Sequence, residues 1–260
     1  MHAPRMDVNA DMGESYGRWT LGADGELMPF LTSANVACGF HGGDPHVMRT
    51  TVRLAREHGV AVGAHVALPD LLGFGRRAMA ISPEDLKDYV VYQVGALQAF
   101  AATAGVRVEH VKPHGALYVM CTEDERYARA VVEAVGSLGP ELIVLLSGER
   151  VAAAARAAGV PFVAEGYIDL DYDDAGKLVI ERVKRTREPA EVARRAVLLA
   201  REGRVPTPGG SVPLPAASVC VHGDAPNAPA VAKAVREALE AAGVELVPLR
   251  ALVESRKEGR

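Results

Sequence analysis

Asp7-Val-Asn-Ala-Asp-Met-Gly-Glu14 alternates polar and apolar residues before ending in a turn and an acid. Side chains two apart on a strand share a face, so Asp7, Asn9 and Asp11 face one way while Val8 and Ala10 face the other. The parity recurs in Val60-Ala-Val-Gly-Ala-His65, in Val108-Glu-His-Val-Lys-Pro-His114, and in Ser218-Val-Cys-Val-His222 with Gly223 and Asp224. One face collects His65; another His110, Lys112 and His114; a third Ser218, Cys220, His222 and Asp224. A sheet wet on one face alternates too, but it has no reason to gather charge at one end of every strand. An α/β barrel does, because several strand ends build its active site on the C-terminal rim.

The surrounding sequence agrees with that reading. Strand-like runs at Met6–Asn9, Ser33–Cys38, Val60–His65, Val108–Lys112, Leu142–Leu146, Pro161–Glu165 and Ser218–Val221 alternate with helical patterns. Pro83–Ala104 places Leu86, Tyr89, Val90, Val94, Leu97 and Ala101 on one helix face, with Ser82 as its cap. Further helices are expected at Gly148–Ala158, Pro189–Glu202 and Ala228–Ala242, and Thr122-Glu-Asp-Glu125 reads as a capping box opening another. Repeated βα units imply a parallel sheet with right-handed crossovers. The expectation is an α/β fold: one distorted or incomplete seven-stranded (β/α) barrel domain over residues 1–260, with an open doubly wound sheet as the alternative. Gly166–Arg187 breaks the rhythm, with a turn at Asp173–Gly176 and a hairpin arm at Lys177–Glu181. Val205–Pro215 reads as a loop or second hairpin. Such insertions often cover a site.

With 29 basic and 33 acidic residues the net charge is −4, and no basic stripe points to nucleic acid. The short charged run Arg256–Arg260 reads as a tail. The three cysteines form no CxxC pair and suit a reducing compartment. Residues 1–7 lack the apolar stretch of a signal peptide, and no run approaches the ~20 apolar residues of a membrane helix. The expected location is the cytoplasm.

Five blocks carry chemistry. In the first, Gly13 permits a turn that brings Glu14 beside Asp11, and two close carboxylates split into an acid and a base or bind a cation. In His41-Gly-Gly-Asp44-Pro45, the glycines admit close backbone approach. Asp44 weighs equally as helix cap and as site residue. In the third block, His65 precedes Gly73-Phe-Gly-Arg-Arg77, where Arg76 or Arg77 could hold a carboxylate or phosphate. Lys112 and His114 share a face in the fourth, and a partly buried Lys serves as acid, base or oxyanion partner. His222 and Asp224 form the fifth, a pair that could orient a base. His2, His46, His58 and His110 read as structural or surface residues.

These same blocks, with Asn35, Phe40, Asp70 and Tyr118 inside them, run in order from Asp7 to Asp224 and resemble the LamB/YcsF family, also called the A subunit of 5-oxoprolinase. The resemblance implies a fold similar to the glycoside hydrolase/deacetylase seven-stranded barrel. It also implies ATP-dependent opening of 5-oxo-L-proline to L-glutamate, shared with partner subunits B and C. Two places depart from the family pattern. Val66 and Ala67 replace a Pro and a small residue, and Tyr167-Ile-Asp-Leu-Asp-Tyr172 keeps Asp169 and Tyr172 but has Leu170 where the family has Arg.

The expected catalytic set is Asp11, Glu14, His41, His65, Lys112, His114 and Asp169. Asn9, Asp44, Arg76, Arg77, Tyr172, His222 and Asp224 are expected to bind substrate. The resemblance implies ATP as a co-substrate, yet the chain has no Gly-x-x-x-x-Gly-Lys-Ser/Thr loop. Two rival readings stand beside this one. The first is a metal-dependent amide or acetyl hydrolase with a divalent cation on Asp11, His41 and His65. The second is a subunit that only binds 5-oxoproline. Gly166–Tyr172 and Gly73–Arg77 are the candidate lids.

Overall fold

The computed structural model describes residues 3–179, 181 and 185–258. His2 and Ile180, residues 182–184 of the irregular stretch and residues 259–260 of the charged tail, all assigned above, lie outside them. Strands β1 (Arg5–Met12), β2 (Ser33–Ala37), β3 (Ala61–Val66), β4 (Val108–Pro113), β5 (Ile143–Leu146) and β6 (Phe162–Tyr167) pair in sequence order. Two hairpins follow, β7 (Asp171–Tyr172) with β8 (Leu178–Val179) and β9 (Arg204–Thr207) with β10 (Gly210–Pro213). Strand β11 (Ser218–Val221) then pairs with both β6 and β1, so the barrel closes with every one of its pairings parallel. Closure excludes the open doubly wound sheet. A short β12 (Glu245–Leu246) pairs with Arg5 and Met6, just before β1 meets β11 at Asp7.

The helices are α1 (Asp24–Leu27), α2 (Pro45–His58), α3 (Pro83–Thr103), α4 (Gly115–Glu123), α5 (Glu125–Leu138), α6 (Glu149–Ala158), α7 (Pro189–Glu202), α8 (Ala228–Ala241) and α9 (Leu249–Glu258). Local chemistry sets their ends. Asp44 accepts from the His46 and Val47 amides at 2.8 and 2.9 Å to cap α2, and Ser82 accepts from Asp85 N–H at 3.0 Å to cap α3. The expected capping box is corrected: Thr122 Oγ1 donates back to Val119 inside α4, and Asp124 caps α5 through Arg126 N–H at 2.9 Å. A hydroxyl at the end of a helix can satisfy the preceding turn as readily as open the next one.

The apolar parity of the strands packs under the helices. Val8, Ala10, Val62, Ala64, Val111, Val144, Leu146, Val219 and Val221 are buried with Leu86, Val94, Leu97, Val131, Val235 and Leu239. Each fully buried Val or Leu side chain contributes roughly 1.5–3 kcal/mol, and this shell offsets a polar interior. The opposite parity of β5 and β6 (Ile143, Leu145 and Val163) meets Val247, Leu249 and Leu252. Helix α9 thus contributes an apolar floor at the end where β12 joins β1. Sequence patterning alone does not reveal α9, whose last residues read as a charged tail.

Above that floor the axis is polar in tiers. Asp7 accepts from Thr32 and Ser33 hydroxyls at 2.7 and 2.6 Å and from Ser218 Oγ. One tier higher, Asn35 donates to Asn9 at 2.7 Å and accepts from His110 Nε2 at 2.7 Å. Gly63 makes room for that ring, since a Cβ there would come within 2.0 Å of His110 Nε2.

Gly63→Ala should therefore lower stability by ~1–3 kcal/mol or more, the scale of overpacking, and an unchanged urea midpoint would contradict the packing. For Asp7, burial pushes the carboxyl from 3.8 to about 6 against its three hydroxyl donors. A raised folded-state value favours folding at low pH, and that contribution is lost as pH rises from about 4 through 6. The Asp7→Asn variant should gain on the parent by up to about 3 kcal/mol between pH 4 and 7, taking 1.36 kcal/mol for each pKa unit. Urea melts of both proteins across that range check it, and a difference that does not change with pH would refute it.

Candidate active site

The upper tier begins at Lys112. It is 1% exposed, and its ammonium contacts Asp11 Oδ1 at 3.0 Å, Glu165 Oε2 at 3.1 Å, Cys220 Sγ at 3.1 Å and Asn9 Oδ1 at 3.3 Å. Burial pulls the Lys112 value down, but Asp11, Cys220 and Glu165 outweigh it and hold the ammonium well above the usual lysine range. Burial likewise works against the Asp11 charge, but His65 and Lys112 beside it hold that carboxyl well below the carboxylate range. For Glu165 burial wins over Lys112 and the value rises.

Gly13, at φ 67°, turns the chain so that Glu14 comes back over the barrel mouth. Burial and the Asp11 charge push the Glu14 carboxyl up to about 8. The two carboxylates therefore part in the way their spacing predicted. His41 Nε2 lies 3.0 Å from Glu14 Oε1, and its ring stacks on His114 at 3.8 Å between centroids. His65 Nε2 sits 3.3 Å from Asp11 Oδ2 and 3.0 Å from His114 Nδ1. Burial first, and neighbouring imidazoles second, hold His41 and His114 well below the ordinary histidine value, so both rings are neutral. One donor atom each from Glu14, His41, His65 and His114 lies within 4.8 Å of the others, a grouping that could hold a metal ion.

Asp11, Glu14, His65, Lys112 and His114 open into a cavity of ≈ 520 Å³. Arg76, Tyr172, His222 and Asp224 line it too, as do Lys177 and Leu178 from the insertion after β6. Asp169 accepts from the His222 amide at 2.8 Å and faces His222 Nδ1 at 3.0 Å, so it orients that ring. Arg76 pairs with Asp224 at 2.8 Å and lies over the Phe74 ring at 5.0 Å.

Three expected substrate contacts fall elsewhere. Asp44 is spent on the α2 cap and also accepts from Gly17 N–H at 2.8 Å. Arg77 Nε donates to Asp70 at 2.8 Å, and Asp70 folds the loop by accepting from Gly73 N–H at 3.0 Å. Asn9 lies fully buried beneath Lys112, where it is a support for the ammonium. The sequence reading missed Glu165 and Tyr167. Both share the inward parity of β6, with the Tyr167 hydroxyl 3.2 Å from Glu165 Oε1 and the ring 5.3 Å from Lys112 Nζ. The two-residue alternation Val163, Glu165, Tyr167 was the signal. Leu170, at the departure from the family pattern, is buried and lines the cavity.

A sequence model of the LamB/YcsF family matches residues 6–254. A Thermus thermophilus protein named as the A subunit of 5-oxoprolinase is 50% identical over 246 residues, which cover 93% of this chain and 98% of that one. A Nocardia farcinica protein of the same name is 48% identical over 242 residues, covering 92% and 97%. The crystal structure of a lactam utilization protein from Thermus thermophilus superposes with a TM-score of 0.87 at 47% identity, covering 94% of this chain and 99% of that one. With the family match running through every strand of the barrel, the chain belongs to the LamB/YcsF family.

Proposed function

We propose that this chain is the A subunit of an ATP-dependent 5-oxoprolinase, opening 5-oxo-L-proline to L-glutamate together with B and C subunits. The observation that carries the reading is convergence. Asp11, Glu14, His65, Arg76, Lys112, His114, His222 and Asp224, drawn from blocks spread along the chain, line one cavity. Relatives that match almost end to end carry the name of the 5-oxoprolinase A subunit.

A five-membered lactam resists water, and transfer of the γ-phosphoryl group of ATP to its amide oxygen, with release of ADP, makes the carbon electrophilic. Water then adds, and the carbon–nitrogen bond breaks as the ring nitrogen takes the proton that water loses. A second water releases phosphate from the resulting acyl phosphate, which leaves glutamate. In this chain Asp11, held ionised against His65, relays that proton from the water to the ring nitrogen. Lys112, held as the ammonium, stabilises negative charge developing on oxygen. Arg76, rather than Arg77, is the cavity guanidinium for the substrate carboxylate. The three free cysteines are buried, and no described helix is long and apolar enough to cross a membrane. Both fit action in the cytoplasm.

Glutamate should form from 5-oxoproline and ATP when this chain is mixed with its B and C partners. The chain alone should turn over little ATP. Robust ATP hydrolysis by the isolated chain, or no glutamate from the mixture, would count against the reading. Within an active mixture, Asp11→Ala and Lys112→Ala should each cut turnover by at least ~10²-fold, with circular dichroism checking that the fold persists. Near-parental rates in both would remove these residues from the chemistry.

A further inference from the structure

The backbone fixes which nitrogens of the site histidines carry hydrogen. His65 Nδ1 lies 3.0 Å from the Lys112 carbonyl oxygen, and His114 Nε2 lies 2.8 Å from that of Phe74. A carbonyl only accepts, so both of these nitrogens donate. That turns the other ring nitrogens, His65 Nε2 and His114 Nδ1, toward each other across 3.0 Å. Glu14 Oε1 closes on the same point, 3.7 Å from His114 Nδ1, and Asp11 Oδ2 stands 3.3 Å from His65 Nε2. Acceptors facing one another in a buried site repel unless a positive centre lies among them.

The chain holds this arrangement against strain. Phe74 has φ 53°, unusual for a bulky residue, and its carbonyl in that conformation meets His114. Gly75 passes so close to the stacked rings that a Cβ there would come within 2.8 Å of both His114 and His41.

We infer that His65 Nε2, His114 Nδ1 and Glu14 Oε1 hold a divalent transition-metal cation, with His41 positioning Glu14 and Asp11 adding negative charge alongside. The donor separations of 3.0 and 3.7 Å bracket the ~3.4 Å edge of a tetrahedron with bonds of ~2.1 Å. Both ligand rings donate their other N–H to a backbone carbonyl, the outer contact that fixes tautomer and orientation in metal-bound histidines. Two imidazoles and a carboxylate suit zinc or iron(II) better than calcium or magnesium. This set keeps His65 from the sequence expectation but replaces the roles given to Asp11 and His41 with Glu14 and His114. It stands independently of the lactam reading, because binding is measured on this chain alone without substrate.

The competing occupant is a proton on His65 Nε2, shared with Asp11 or His114. Chelator-stripped protein titrated with zinc(II) and with cobalt(II) separates the two. One equivalent should bind, the cobalt form should show visible d–d absorption, and X-ray absorption of the zinc form should count two imidazole ligands. His65→Gln and His114→Gln should each weaken binding at least ~10-fold, while His46→Ala on the exposed face of α2 leaves it unchanged. No stoichiometric uptake by the parent chain, fewer than two imidazoles in the zinc spectrum, or unweakened binding in both glutamine variants would overturn the inference.

Discussion

The rest of this barrel depends on one buried ammonium. Removing a lysine charge from water costs several kcal/mol unless close partners compensate, and Lys112 is surrounded by Asp11, Glu165, Asn9 and Cys220, all within 3.3 Å. Those partners sit on β1, β6 and β11, so the pairings that close the sheet are also the ones that neutralise the charge. The tiers below follow from the same demand. Asn9 Oδ1 accepts from both Lys112 and Asn35 while its amide donates to Ser218 Oγ and the Val219 carbonyl, and Asn35 in turn accepts from His110 across the space left by Gly63. The apolar shell under the helices supplies the stability that such an interior does not.

Much of this was legible in the sequence, because period-two alternation decides both which side chains pack outward and which line the axis. All seven barrel strands follow from strand-like runs spaced between helical patterns, and the inward set Asp7, Asn9 and Asp11 with the gathering of His65, Lys112 and His114 at one rim follows from parity. Other features depend on three-dimensional competition. Asp44 and Arg77 have the chemistry of ligand contacts, but a free helix end and a buried Asp70 claim them first. Thr122 looks like a cap and instead serves the turn behind it. Helix α9 is hidden because its sequence reads as a charged tail, and only the open floor of the barrel gives its leucines a partner. Glu165 escapes a search for strand ends rich in histidine, although its alternation with Val163 and Tyr167 is visible.

The rim differs in kind from the tiers below it. Beneath Lys112 nearly every donor meets an acceptor, which makes a rigid scaffold. At the rim, neutral imidazoles and carboxylates of opposite tendency are brought together in a cavity large enough for a small lactam and more. That combination of a fixed charge, a split carboxylate pair and a space walled by the insertion after β6 is what the lactam-opening reading requires of this chain.

The most direct test is a crystal structure of the chain with 5-oxo-L-proline bound. The expected result is the lactam in the cavity, its ring carbonyl within hydrogen-bonding reach of Lys112 and its carboxylate turned toward Arg76. A lactam bound outside the cavity, or inside it with the carbonyl facing away from Lys112, would contradict the proposed chemistry.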